Sequence, residues 1–326
     1  MSQRAETIHL PKVSVLTAAY NAAEFIRETI ESVAAQTYRS VEHIVVDDGS
    51  PDETAAVAAE YEGRPGFRLI RQHNQGEAVA LNRALEASTG DYVVAVSADD
   101  PIRPSLLEAA VSLLETNPSL AAVYPDWEII DEKSCVISSV RVQEFSLAAM
   151  VIQHVCLAGP GTVIRKAALA DMIFRDPTLR FKNDFDLWLR LGARAPMCRL
   201  PGIHAAWRRH PGGATSAKRG RIMAEEHIEV IRRAYERPGL PPDILQRRDL
   251  AFSVAHYWAG LQGLHSSEAN GRRHMLRSLK LASRWPNDFH PETRRAWSRV
   301  AFLLAEPASR WIYDAGLALG LRLPRG

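Results

Sequence analysis

Two adjacent carboxylates, Asp99-Asp100, end the apolar run Tyr92-Val93-Val94-Ala95-Val96 and are followed at once by Pro101. Like charges about 4 Å apart repel by roughly 1 kcal/mol in water and roughly 4 kcal/mol at an effective dielectric of 20, so something has to offset them. A solvated Asp-Asp-Pro turn does so at little cost. A bound divalent cation does so with a purpose, because hard carboxylate oxygens suit Mg2+ or Mn2+ that keeps some waters and bridges substrate phosphates. Such an ion would also neutralise charge on a departing diphosphate.

Three further clusters carry chemistry. Asp47-Asp48-Gly49-Ser50 offers two acceptors for a nucleobase edge or a ribose hydroxyl, with a glycine that lets backbone and ligand approach; Ser50 or Asp52 could equally cap the next helix. Asn183-Asp184-Phe185-Asp186-Leu187-Trp188 opens an amphipathic segment. One of its acids could be a general base, worth about 10² to 10⁴ in rate, or both could simply complement a helix dipole. Arg208-Arg209-His210-Pro211-Gly212-Gly213 sets cations and an imidazole beside a flexible loop, suited to a pyrophosphate or a metal, or else it is a solvated basic loop. His204, His256 and His274 lack ligand spacing and read as structural.

The elements that must position these groups alternate. Strand patterns at Val13-Ser14-Val15-Leu16-Thr17, His43-Ile44-Val45-Val46, Phe67-Arg68-Leu69-Ile70 and 92–96 are separated by helical patterns beginning near Asn21, at 53–61 and at 77–87; a fourth helix is predicted at 104–115. Asn21 is predicted to cap the first helix. This rhythm implies a mostly parallel sheet covered on both faces. Open sheets of this kind bind ligands beyond the carboxyl ends of their strands, and Tyr20-Asn21, Asp47-Asp48, His73-Asn74-Gln75-Gly76 and Asp99-Asp100 all fall at such ends. From about residue 120 the pattern becomes irregular, with strands at 121–124, 162–164 and 203–207 and a helix at 184–191. After about 218 it is helical, which gives a cut between 1–217 and a C-terminal extension, 218–326.

Bulk properties narrow the class. The 326 residues are 46% hydrophobic and 24% charged with a net charge of +2, an ordinary globular composition that does not point to nucleic acid. The three cysteines form no CxxC or Cys/His pattern and read as reduced thiols. The first residues lack a signal-peptide core, and no apolar run approaches the roughly 18 residues needed to span a bilayer. The expected setting is cytoplasmic. Residues 271–326 carry eleven Lys/Arg against four Asp/Glu, with Trp285, Trp297, Phe302 and Trp311 interspersed. That tail fits either peripheral contact with the inner face of an anionic membrane or a helical cap on the catalytic domain.

Taken in order over about 11–217, these motifs resemble the inverting family 2 glycosyltransferases of GT-A fold. The resemblance rests on Val13 to Asn21, Val45-Val46-Asp47-Asp48-Gly49-Ser50, Asn74-Gln75-Gly76 with Asn82, Ser97-Ala98-Asp99-Asp100, Asn183 to Trp188 and the Arg209-His210 loop. It implies an α/β, Rossmann-like, mixed but mostly parallel sheet flanked by helices, with nucleotide binding in about 11–118 and acceptor binding in about 119–217. It further implies that Ala18, Tyr20, Asp47, Asp48, Gln75, Gly76, Asn82, Asp99 and Arg209 bind the donor. Asp100, Asp99 and His210 would hold Mn2+ or Mg2+, and Asp184 would be the base. The expected reaction moves a sugar from a nucleotide-diphosphate sugar, UDP favoured, to a glycan or lipid-linked acceptor. The sequence departs from the family at Ala18, where proline is usual, at Ser97, often an acid, and at Asn183, usually glutamate. A sugar nucleotidyltransferase would need a Gly-rich basic loop after the first strand, where this chain reads Ala18-Ala19-Tyr20-Asn21-Ala22. A nonenzymatic sugar-nucleotide-binding protein is the other alternative.

Overall fold

The computed structural model describes residues 10–213, 220–265 and 270–282. Trp285, Trp297, Phe302 and Trp311, which support the membrane expectation, lie outside the described residues. In chain order the elements are β1 (Val13–Ala19), α1 (Ile26–Ala34), β2 (Val41–Asp47), α2 (Thr54–Ala59), β3 (Phe67–Arg71), α3 (Glu77–Ala87), β4 (Tyr92–Ala95), α4 (Leu106–Thr116), β5 (Ala122–Ile130) and β6 (Val136–Val140). They continue with α5 (Leu147–Gln153), β7 (Val163–Arg165), α6 (Asn183–Arg194), β8 (Met197–Arg208), α7 (Gly220–Glu236), α8 (Pro242–Leu245), α9 (Arg248–His265) and α10 (Gly271–Leu281).

The strands form one mixed sheet in the order β3-β2-β1-β4-β7-β5-β6, with β8 paired to β5. β1 runs parallel to both β2 and β4, and β2 parallel to β3. β7 lies antiparallel to β4 and β5, while β8 runs parallel to β5. The chain winds outward from β1 through β2 to β3 and then returns to β4 on the other side of β1. The carboxyl ends of β1 and β4 therefore flank a topological switch point, the place where open sheets of this kind bind ligands.

Burial explains why these segments became strands. Val13 and Val15 of β1, Tyr92 and Val94 of β4, and Leu106, Leu107, Ala110, Val111 and Leu114 of α4 share one core cluster. Ala19, Ile26, Ile30, Val45, Ala58 and Tyr61 form another. The chain divides into two compact units. The first holds the described residues up to Phe145 together with Leu157–Pro177 and Ala195–His210, and so contains every strand among the described residues. The second takes Ser146–Cys156, Thr178–Arg194 and the described residues from Pro211 on. It is helical, with α9 packed on α5, α7 and α10, and α6 on α5 and α7.

Local details differ from the sequence reading for physical reasons. Asn21 does not cap α1: it is left-handed at φ 52°, its N–H donates to Ser50 Oγ, and the helix begins at Ile26. β8 runs from 197 rather than 203, tolerating Pro201-Gly202 through register shifts against Pro125, Asp126 and Trp127. β6 and α5 carried no readable signal. β6 is an edge strand with Val136 and Ile137 exposed, and α5 is a seven-residue apolar run too short to show a period.

Candidate active site

The Asp99-Asp100 turn leaves the carboxyl end of β4 and is closed by Asp100 N–H donating to Ser97 O at 3.1 Å. Asp100 is buried. Its Oδ1 accepts the main-chain N–H of Arg208 at 2.7 Å. Burial, and after it the neighbouring Asp99 charge, push the Asp100 carboxyl well above its usual range, while the Arg208 N–H, the Ser97 hydroxyl and the Arg208 charge oppose that push. Asp99 Oδ2 lies 2.9 Å from His210 Nε2, whose ring packs edge-on against Phe25. The fold thus brings Asp99, Asp100 and His210 together.

Arg208 is the group that sequence reasoning missed. Its side chain is fully buried, stacks over Phe25, and donates to Asp99 O (2.8 Å), Asp131 O (3.0 Å), Ser134 Oγ (2.9 Å) and Glu28 Oε2 (2.6 Å). One guanidinium therefore ties α1, the Asp99-Asp100 turn and the β5–β6 turn together, a task that needs a planar fork of donors. Arg209, the cation singled out from sequence, is exposed, and its N–H donates to Ile130 O.

At the end of β2 the two aspartates have different environments. Asp48 Oδ1 accepts from Gln72 Nε2 (2.7 Å) and Gln75 N (2.9 Å), and its Oδ2 from Gly76 N (2.7 Å). It braces the loop after β3. Asp47 is as deeply buried, yet its Oδ1 has no hydrogen-bond partner among the described residues, and Oδ2 accepts only from Ser50 N at 3.4 Å. A buried acceptor left unused is costly, and Asp47 Oδ1 is such an acceptor among the described residues. Gly49 sits at φ 70°, and a Cβ there would lie 2.8 Å from Asn74 N. Only glycine lets the two loops approach this closely.

The remaining sequence-selected residues separate similarly. Tyr20 is 53% exposed beyond β1. Ala18 is half-buried and pairs in register with Val46. Gln75 is exposed, and Gly76 precedes α3 at φ 92°. Asn82 gives both ends of its amide to the Arg175 main chain, at 2.7 and 2.8 Å. Asp52 accepts from Thr54 at the start of α2 and from Ala23 N.

Asp184 lies in the second unit, at the first turn of α6. It is half-buried, and its Oδ1 accepts Phe185 N–H at 2.6 Å. Its neighbour Asp186 is fully buried and spends both oxygens on cations, Oδ2 on Arg190 and Oδ1 on Arg237, each at 2.7 Å. Of the two acids, Asp186 is committed to two cations, and Asp184 is the more exposed.

The donor types suit a hard divalent cation: two carboxylates on the turn after β4, with the His210 imidazole from beyond β8 against Asp99, and Asp100 held in a site that disfavours its uncompensated charge. Among the described residues no three His, Cys, Asp or Glu side chains close into a metal cage. Mg2+-type sites that complete their shell with water and substrate phosphates need no such cage.

Comparison with known proteins agrees with this architecture. The family model described as "Glycosyl transferase family 2" matches residues 14–146. An uncharacterized glycosyltransferase of Haemophilus influenzae is 30% identical over 224 residues, covering 64% of this chain and 68% of that protein. One from Rickettsia prowazekii is 31% identical over 192 residues, covering 57% of this chain and 60% of its relative, so the match spans somewhat over half the length of such relatives. Among solved structures, S. aureus TarS 1–349 in complex with UDP superimposes with a TM-score of 0.62 at 16% identity, covering 95% of this chain and 92% of that one. The mannosyltransferase PcManGT from Pyrobaculum calidifontis, in complex with GDP-Man and Mn2+, gives 0.61 at 17% identity, covering 95% and 85%. These two likenesses show the fold. The chain is a GT-A-fold protein and belongs to glycosyltransferase family 2.

Proposed function

We propose that this chain is a metal-dependent, inverting glycosyltransferase of hexosyltransferase type that moves a sugar from a nucleoside diphosphate sugar, UDP favoured, to a hydroxyl of a glycan or lipid-linked acceptor. The observation that carries the reading is the Asp99-Asp100 turn, held by Arg208 and His210 at the switch point of the sheet, near strand ends where Asp47 offers an unused oxygen. Tyr20 supplies an exposed ring for a base, and Asp47 Oδ1 accepts from the nucleoside. Ala18 and Gly76 leave room for the backbone to approach it. Asp48 and Asn82 act through the segments they brace, and Gln75 and Arg209 add polar contacts at the rim.

Asp100, Asp99 and His210 would hold Mn2+ or Mg2+, which when bound supplies Lewis-acid neutralisation of the departing diphosphate. Asp184 takes the proton from the acceptor hydroxyl, whose oxygen bonds to the anomeric carbon as the bond to the diphosphate breaks on the opposite face. One displacement inverts the configuration. The TarS complex with UDP and the PcManGT complex with GDP-Man and Mn2+ support a nucleotide-linked donor and a divalent ion. Among the described residues no helix is long and apolar enough to cross a membrane. The reading places the acceptor at a polysaccharide, lipopolysaccharide or other glycoconjugate, with the protein in the cytoplasm and its basic C-terminal segment reaching the inner membrane face.

The test is Asp184→Asn. It should abolish transfer and leave metal-dependent nucleotide binding within about twofold of wild type. A variant that keeps most of its turnover removes Asp184 from the mechanism.

A further inference from the structure

The strongest unassigned constellation lies in the second unit, where α7 meets the residues that lead into α6. Glu226 of α7 is almost fully buried, and an acid at that position would normally be unwelcome. Its carboxylate accepts three consecutive main-chain N–H groups: Arg180 on Oε1 at 2.6 Å, and Phe181 and Lys182 on Oε2 at 2.7 and 3.0 Å. These are the last three residues before α6, and Lys182 O already accepts the Asp186 N–H inside that helix. Glu226 thus caps α6 from another helix, and its charge faces the positive end of the α6 dipole.

The segment so fixed carries Asp184 one turn away. Burial lowers the Lys182 ammonium, while Asp184, Cys156 and Glu226 act to raise it. At the other end of the interface, Arg237, just beyond α7, reaches the fully buried Asp186. Helix α6 is consequently gripped at two points, by Glu226 of α7 before Asp184 and by Arg237, the residue after α7, beyond it, and the grip before it is three hydrogen bonds to a single charged group. Hydrogen bonds to charged groups are the strong ones, and a reacting carboxylate works only within a narrow tolerance of position. Both grips come from residues outside the stretch matched by the family model, 14–146.

We propose that Glu226 is a positioning residue for the transfer reaction: it holds residues 180–182 so that Asp184 is presented in a single orientation. The inference rests on the reading of Asp184 as the base. It makes α7 part of the catalytic machinery rather than a covering element.

The experiment compares full-length wild type, Glu226→Gln, Asp184→Asn and the double variant in steady-state transfer. Glutamine matches glutamate in size but sets an N–H2 group against at least one of the three N–H donors. Glu226→Gln should lower kcat at least tenfold with the donor KM within twofold, and the double variant should be no slower than Asp184→Asn alone. A folded Glu226→Gln protein with kcat within twofold of wild type overturns the proposal while leaving the base reading intact. An active Asp184→Asn protein removes the base reading and this proposal with it. Should Glu226→Gln fail to fold, hydrogen exchange of the wild type decides. Amides 180–182 protected as well as the interior of α6 support the clamp, and exchange as fast as exposed loops overturns it.

Discussion

The main-chain N–H of Arg208 lies 2.7 Å from Asp100 Oδ1, and the Arg208 Nε reaches the carbonyl of Asp99 at 2.8 Å. One residue at the end of β8 therefore fixes both members of the acidic turn at the end of β4. The buried guanidinium holds the Asp99 carbonyl, and the main-chain N–H holds the Asp100 carboxylate.

Arg208→Met should consequently damage both binding and stability. The thioether keeps some packing on Phe25 but removes the donor to Asp99 O and Asp131 O and leaves Glu28 only the Ser134 hydroxyl. Removing one side of a buried charged network costs about 3 kcal/mol. Denaturant unfolding should show a loss of that order, and Mn2+-dependent nucleotide affinity should fall at least tenfold. Arg209→Met should change stability by less than about 0.5 kcal/mol.

The two aspartates at the end of β2 should part company on substitution. Asp48→Asn sets an N–H2 group against one or two of the three N–H donors that Asp48 accepts and should cost about 1 to 3 kcal/mol of stability. Asp47→Asn disturbs almost none and should leave the unfolding midpoint near wild type while weakening nucleotide binding severalfold. Thermal unfolding with and without nucleotide separates the two effects.

Gly49→Ala should be destabilising by about 1 to 3 kcal/mol, since a side chain at φ 70° is strained and its Cβ would strike Asn74 N at 2.8 Å. Gly76→Ala provides the contrast, because its Cβ would meet nothing within 4 Å and only the backbone conformation at φ 92° opposes it. Equal losses at the two positions would mean that the close approach of the loops at Gly49 adds nothing.

Acid should unfold the protein through buried neutral histidines. Burial lowers His43 from 6.5 to about 3 and His256 to about 4, and lowers His154 and His227 well below the ordinary value. The unfolded chain binds these protons below about pH 6.5 and the folded chain does not. Their contribution is thus fully present above pH 6.5 and is lost as pH falls toward 4 and then 3. Each histidine adds at most about 1.4 kcal/mol per pH unit to the slope. His43→Gln, which keeps a partner for the Thr17 hydroxyl, should flatten that limb in denaturant titrations between pH 6.5 and 4.

Much of the fold is legible in the sequence where burial imposes a period. The four parallel strands and the turns at their carboxyl ends follow from apolar runs that stop abruptly on polar residues, and the Asp99-Asp100 pair is found that way. What escapes is set by distant partners. Asp47 and Asp48 are equivalent in sequence, and only the loop at 72–76 makes one a brace and leaves the other open. Arg208 and Arg209 look interchangeable, yet Arg208 still belongs to β8, in register with buried Ile130, and so turns inward. Glu226 did carry a signal, being an acid on the helical stripe that includes Val230 and Ala234, but its three acceptor bonds depend on a segment more than forty residues earlier.

The central claim, that the acidic turn after β4 activates a nucleoside diphosphate sugar, is tested most directly by nucleotide release from a panel of UDP-, GDP- and dTDP-linked sugars with Mn2+. Wild type should release diphosphate nucleotide from at least one donor, and both EDTA and Asp100→Asn should reduce that release at least a hundredfold while the variant stays folded. Release that persists undiminished in Asp100→Asn, or in EDTA, would contradict it.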